Sequence, residues 1–436
     1  MVGVGAPPLP ALAPPPLPNP LGTGVLKMLR TCAKPEASVK PAAICGPGGG
    51  RGVLARALVN ALYVSIVAEA MAAASQHCVD IAQLQARASQ VIAEYTGAEA
   101  GYVTSGAAAG LLLGTAACVT GLDPGKMNRL PDTTGMKNEV IMARSHRNFY
   151  DHAVRSVGIK LVEVGIADRF SGAGVRDAEG WEIGAAVNER TAAVVYVSYA
   201  HTQPPLAEVI AAAHAHGVPV IVDAAGQVPP VDNLRRFIAE GADLVAFSGG
   251  KAIGGPQSSG ILCGRADLIT SVALQHLDLD VMPALWNPPP ELIDRAQLPG
   301  APQHGIGRPC KVGKEEIVGL LTALRLFVEE DPAVRHQRWL DKMTALVQEC
   351  GTLAHATAEV VADRKRVEVP TVRLTLDEES AGLSALELVR ALEEGTPSIA
   401  ANPTYVQEGV VVFGPMCLRS GEESAIAARL RALLGA

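Results

Sequence analysis

No apolar run in the 436-residue sequence reaches the roughly 18 residues that a bilayer-spanning helix needs, so no membrane partner is expected. The chain also lacks a basic opening ahead of an apolar core, the mark of a secretory signal. Met1 to Asn19 is instead Pro-rich, APPLPALAPPPLPNP at its centre, and reads as an extended tail over residues 1–22. No Lys/Arg cluster is dense enough to follow a phosphate backbone, and the formal charge is −7, which speaks against nucleic acid as a partner. Eight cysteines lie scattered between Cys32 and Cys417 with no CxxC pair and no His spacing suited to zinc. They read as reduced packing thiols of a cytoplasmic protein without a metal.

Small apolar residues are what the chain has in quantity. Hydrophobic residues make up 48% of it, much of that alanine, and there are 44 glycines. A chain of this length supports one large α/β domain and a smaller one, with apolar surface left over for a subunit interface. The expected division is a tail (1–22), an N-terminal segment with helices (23–95), a large domain (96–300) and a small C-terminal domain (301–436).

The organising stretch is GADLVAFSGGKAIGGPQSSG, Gly241 to Gly260. Its compact apolar half, Ala242 to Phe247, predicts a buried parallel strand ending in a tight turn. Lys251 stands at the end of that turn, where partial desolvation makes it a candidate amine nucleophile; a solvated loop lysine is the alternative. Upstream, VPVIVDAAGQ predicts a second strand, Val218 to Val222, ending at Asp223. With a helix over Asn233 to Glu240 between them, the two form a βαβ unit whose strand ends share one sheet edge. YVTSGAAAG, Tyr102 to Gly110, opens an apolar helix over Leu111 to Cys118, and its Ser-Gly turn leaves free N–H groups at a positive dipole end. An anion cradle, a buried carboxylate and an amine are the fixtures that pyridoxal 5'-phosphate needs for its phosphate, its ring nitrogen and its Schiff base.

Other segments lead to the same rim. EVIMA, Glu139 to Ala143, predicts a strand, followed by a helix over Asn148 to Val157 and a strand over Lys160 to Val164. His146, Arg147 and Asn148 fall at the mouth of the first, where an imidazole can stack on a flat cofactor or carry protons; capping or surface roles are the alternative. AAVVYVSY, Ala192 to Tyr199, ends in AHTQPPL and brings His201 and Gln203 to the rim. Ser248, Ser258 and Ser259 can offer hydroxyls to a phosphate or simply serve the turn. The glycine-dense stretch Pro41 to Arg56 is either a ligand-facing loop or a joint. Helices are expected over Ile66 to Ala74 and Ile81 to Tyr95. Arg265 to Gln303 reads as largely irregular. GIGRPCKVGKEEIVGLLTALRLF then opens a long helix, Lys314 to Val328, taken as the entry to the small domain. Arg308 is the candidate for a substrate carboxylate or phosphate, with a surface ion pair as the alternative, and Arg419 is a weaker candidate. A helix over Pro332 to Thr357, strands near Val367 to Leu376 and Gly409 to Phe413, and a helix over Glu422 to Leu434 complete an α+β cap.

DAAGQ at Asp223, DLVAFSGGKAIGGPQSSG around Lys251, TSGAAAG at Thr104, LPDTTGMKNEVI from Leu130, HRNFYDHAVR from His146 and GIGRPCKVGKEEIVGLL from Gly305 occur in that order. Together they resemble the bacterial selenocysteine synthase-like (SelA-like) family of fold type I pyridoxal phosphate enzymes and, within it, the D-glucosaminate-6-phosphate ammonia-lyase branch. The likeness runs from about Glu69 to the C-terminus. It implies a mostly parallel seven-stranded sheet between helices, a smaller α+β C-terminal domain, and a homo-oligomer with sites at subunit interfaces. It implies Lys251 as the cofactor-bonding lysine and Asp223 as the ring-nitrogen partner, with Ala225 and Gln227 in the same turn. Ser105, Gly106 and Ala107 become part of the phosphate site. The family's Asn-Ala-x-Gly-Thr loop is echoed only at Val59, Asn60, Ala61 and Leu62.

The expected activity is Cα-proton abstraction and α,β-elimination from a small-molecule amino acid or amino sugar acid, with Lys251 as base. A racemase would need a second acid such as His146 or His201. Aldolase or aminotransferase chemistry uses the same cofactor, and a cofactor-binding protein without turnover is the non-enzymatic alternative. Selenium transfer to a charged tRNA is disfavoured by the acidic charge.

Overall fold

The computed structural model describes residues 61–166, 177–199, 202–362, 369–419 and 421–435. Every described residue belongs to one compact unit within 51–436. The Pro-rich tail, the whole glycine-dense stretch Pro41 to Arg56, Val59, Asn60 and His201 therefore lie outside the described residues.

Two helices lead, α1 (Ala61–Ser75) and α2 (Ile81–Thr96). Asp80 caps α2 by accepting from the Ala82 and Gln83 N–H groups. Then follow β1 (Ala100–Thr104), α3 (Ala107–Thr120), α4 (Pro124–Arg129), β2 (Glu139–Ala143), α5 (Asp151–Arg155), β3 (Lys160–Val164), α6 (Gly180–Ala186), β4 (Thr191–Val197), α7 (Leu206–His214), β5 (Val220–Asp223), α8 (Asn233–Ala239), β6 (Leu244–Ser248), β7 (Gly260–Gly264) and α9 (Ala266–His276). The strands form one seven-stranded sheet in the order β1-β7-β6-β5-β4-β2-β3. β7 alone runs opposite to the other six, antiparallel to both β1 and β6. The fold is α/β, as expected.

Burial explains the sheet. Every residue of β2 and of β4 is buried, the signature of parallel strands covered on both faces. α3 is apolar on nearly all sides, AAAGLLLGTAACVT, and contributes Leu111, Leu113 and Ala117 to the core with Met142, Val195, Ile221, Leu244 and Leu262. Such a helix is stable only when surrounded.

The C-terminal part holds α10 (Lys314–Glu329), α11 (Pro332–Cys350), β8 (Ala356–Val361), β9 (Thr371–Leu376), α12 (Glu378–Ala381), α13 (Ala385–Glu393), β10 (Val410–Phe413) and α14 (Glu422–Leu434). α10 packs on α1 and α2. A second core forms around Met343 and Leu346 of α11, Leu374 of β9, Leu388 of α13, Phe413 of β10 and Leu430 of α14, over a three-stranded antiparallel sheet, β10-β9-β8.

Three expectations are corrected. The helix from Pro332 stops at Cys350, because Gly351 takes a positive φ of 62° as its cap; Ala356–Val361 is then a strand. The stretch after Arg265 is not irregular at its start, since Ala266–His276 is a mostly buried helix. The helix expected over Asn148 to Val157 shrinks to Asp151–Arg155. Asn148 does not join it, because its Oδ1 accepts the Tyr150 N–H at 2.8 Å in a local turn.

Candidate active site

Strand register sets the site. Gly260 pairs with both Thr104 and Ser248, and Asp223 pairs with both Val197 and Ala246. The turns after β1, β6, β5 and β4 thus leave one edge of the sheet, joined by the turn after parallel β2. Crevices at such edges are where open α/β sheets bind ligands.

At β1 the chain turns through Gly106, whose φ of 141° lies where only glycine is comfortable. Gly106 caps α3 with no side-chain hydrogen bond, so the N–H groups of the first turn remain available to an anion. The Ser105 hydroxyl donates to the Cys310 carbonyl at 2.9 Å. The anion-facing group of this turn is therefore its backbone.

At β5, Asp223 is 7% exposed and accepts the Ala225 N–H at 3.0 Å. Burial pushes this carboxyl up from the usual range, while the Ala225 N–H and the charge of Lys251 pull it back. Gln227 closes the same turn by donating its N–H to the Ala224 carbonyl at 3.0 Å. A methyl built on Gly226 would stand 3.7 Å from Lys251 Nζ, which puts the amine against the DAAGQ turn. In the single chain, however, Lys251 is exposed. The expected desolvation by the strand–turn junction is not found there, because β6 ends three residues earlier and the turn carries Lys251 clear of the core.

Ser248 is half-buried at the end of β6 and Ser258 is exposed. The Ser259 hydroxyl, fully buried, donates to the Pro256 carbonyl and serves the turn alone. His146 is buried too. Its Nε2 lies 2.9 Å from the Gln203 carbonyl, its Nδ1 accepts the Val197 N–H at 3.4 Å, and its ring meets Tyr196 edge-on. Burial lowers its pKa. Both nitrogens are engaged, so this imidazole latches the β2 turn to the β4 turn and is not poised to carry protons. Asn148 Nδ2 donates to the Tyr199 hydroxyl at 3.2 Å on the same rim.

Beside the β1 turn lies a cavity of 410 Å³ lined by Ser105, Ser258, His276, Arg308, Lys311 and Glu316, among others. Arg308 donates to the His276 carbonyl at 2.9 Å and to Asp278 at 2.8 Å, so its alternative role as an ion pair is realised within the cavity wall. Arg419 is not among the lining residues; it is exposed ahead of α14, its N–H on Glu422. Sequence reasoning missed Lys311 and His276. The first was signalled by its spacing of three from Arg308. The second lay in a helix read as irregular chain.

A buried carboxylate, an adjacent amine and a bare helix start on one edge fit a flat, phosphorylated pyridine aldehyde: one acceptor for a ring N–H, one nucleophile, one cradle of donors.

The sequence model of the family described as "SelA: L-seryl-tRNA selenium transferase" matches residues 49–280. The chain is 34% identical over 378 residues to a 5'-C-glycyluridine monooxygenase-decarboxylase of Streptomyces sp, covering 84% of this chain and 85% of that protein. It is 30% identical over 373 residues to a D-glucosaminate-6-phosphate ammonia lyase of Salmonella typhimurium, covering 84% and 89%. A solved structure of D-glucosaminate-6-phosphate ammonia-lyase matches with a TM-score of 0.70 at 28% identity, over 88% of this chain and 93% of that one.

Proposed function

This chain belongs to the SelA family, and on that premise we propose a pyridoxal 5'-phosphate-dependent lyase. It removes the α-proton of an amino acid or amino sugar acid and expels the β-substituent, giving a 2-oxo acid and ammonia. The observation that carries the reading is the approach of Lys251 Nζ to the turn that begins at buried Asp223. Bound there, the cofactor supplies an electron sink for the pair left by the breaking Cα–H bond.

The chain's own groups do the rest. Asp223, flanked by Ala225 and Gln227, holds a proton on the ring nitrogen. The N–H groups of the Ser105, Gly106 and Ala107 turn hold the phosphate, with Ser248 and Ser258 as further hydroxyls. Lys251 Nζ takes the α-proton. Arg308 meets the substrate's carboxylate or phosphate in exchange for Asp278, and Asn148 lines the opposite rim. His146 already commits both nitrogens, which argues against it as the second acid that racemisation would need.

The reading includes a cytoplasmic homo-oligomer. Phe149, Met282 and Leu285, exposed at 93%, 70% and 70%, are the surface that a second copy would cover. Among the described residues no helix is long and apolar enough to cross a membrane.

The test is a panel of amino acids and amino sugar acids incubated with the holoenzyme, scored for ammonia and 2-oxo acid in equal amounts. The likeness to a monooxygenase-decarboxylase favours one second reading, oxidative decarboxylation of an amino acid attached to a larger group. Oxygen uptake with carbon dioxide release, and no ammonia without oxygen, would establish that reading instead.

A further inference from the structure

We propose that His276 is a positioning residue that ties the cofactor-phosphate turn to the anion-binding arginine, an inference that rests on the function proposed above. His276 ends α9 and is 2% exposed. Its Nε2 lies 3.0 Å from the Cys310 carbonyl and its Nδ1 2.9 Å from the Tyr102 hydroxyl. A carbonyl only accepts, so Nε2 carries the proton, Nδ1 accepts, and Tyr102 donates. Burial keeps the imidazole neutral and the phenol protonated, which holds that assignment.

The Cys310 carbonyl is the point of convergence. It accepts from His276 Nε2 and also from the Ser105 hydroxyl at 2.9 Å. Ser105 directly precedes Gly106, the residue that aims the bare N–H groups of α3. On its other side, the backbone carbonyl of His276 accepts from Arg308 at 2.9 Å. One residue thus holds, through its ring, the carbonyl that anchors the phosphate turn and, through its backbone, the guanidinium of the cavity. The loop comes close enough for this because Gly305 lies against Gln275, where a methyl would fall 2.2 Å from the Gln275 Cα. The Gly307 N–H also donates to the Gln275 carbonyl at 3.0 Å. Both His276 nitrogens and the Tyr102 hydroxyl are committed to these bonds, so both residues act by orienting other groups.

The phosphate distinguishes this role from a merely structural one. The full-length protein is titrated with pyridoxal 5'-phosphate and with pyridoxal, which lacks the phosphate, by visible absorbance. The variants are His276→Leu, His276→Gln and Tyr102→Phe. His276→Leu is expected to weaken pyridoxal 5'-phosphate about tenfold, the scale of one hydrogen bond to a charged group, while pyridoxal shifts by less than about twofold. His276→Gln keeps an N–H donor for the Cys310 carbonyl and restores most of the loss. Tyr102→Phe weakens the phosphorylated form about threefold, and it decides the question if His276→Leu does not fold by circular dichroism. Equal losses for both ligands, or no loss for either, overturn the positioning role while leaving the functional reading intact. A wild-type protein that binds neither form overturns both.

Discussion

The two sheets of this protein are built to opposite rules. In β2 and β4 every residue is buried, whereas β8 alternates half-buried and exposed positions and β9 buries Val372, Leu374 and Leu376 while leaving Thr375 exposed. The inner strands of the large sheet are covered on both faces and can present chemistry only at their ends, where Asp223, the Ser105 turn and the Lys251 turn emerge. The small sheet has one packed face and one wet face. A two-sided sheet concentrates function on its edge; a one-sided sheet serves as packing for its helices.

The largest expected effect tests that contrast in function. Lys251→Ala should lower turnover by at least about a thousandfold, with the visible absorbance of the bound cofactor lost. Arg373→Ala, on the wet side of the small sheet, should leave turnover within about twofold, because its pairing with Glu408 is a surface contact at 3.9 Å. The next effect tests it in stability. Ile141→Ala and Met142→Ala, neighbours in β2 that face opposite sides and are both buried, should each cost about 2–5 kcal/mol in urea unfolding. In β9, Leu374→Ala should cost the same, but Thr375→Ala should stay within about 0.5 kcal/mol. Equal costs at Leu374 and Thr375 would break the comparison.

Smaller effects come from titration at the edge. Burial raises the Asp223 pKa, so in the apoprotein this group disfavours folding once pH rises above the ordinary carboxyl value of 3.8. Asp223→Asn should therefore raise apoprotein stability at neutral pH, leave it unchanged near pH 3, and weaken cofactor binding. Burial lowers the His146 pKa, so its contribution is present above the ordinary value of 6.5 and is lost as pH falls below it. His146→Gln should flatten the decline in melting temperature between about pH 7 and pH 5. A steeper decline would mean that the imidazole carries charge in the folded state.

The same contrast governs what the sequence makes legible. EVIMA was readable to the residue as a strand, and VPVIVD nearly so, because the central strands of a parallel sheet are continuous apolar runs; KLVEV, partly exposed at the sheet edge, was readable from its short valine-rich stretch. The edge residues followed, since each run ends in a turn of glycine or small polar residues: Ser105 and Gly106, Asp223, Ser248. The helix Glu422 to Leu434 was also recovered to the residue. β7, GILCG, was hidden because its two glycines are needed for close approach and look like loop. ATAEVV of β8 was missed, its first two residues being absorbed into the preceding helix, as a half-exposed edge strand carries little apolar signal. The inward ring of His146 and the exposure of Lys251 are tertiary facts. Side-chain direction in a turn depends on which carbonyl stands opposite, and no spacing rule encodes that.

The central claim is that one lysine, Lys251 in the turn after β6, bonds the cofactor. Borohydride reduction of the pyridoxal 5'-phosphate-loaded protein, followed by peptide mass mapping, tests it most directly. The account predicts a phosphopyridoxyl group on the peptide that contains Lys251, and none after Lys251→Ala. A label carried by another lysine with Lys251 unmodified, or no label on a protein that binds the cofactor, would contradict it.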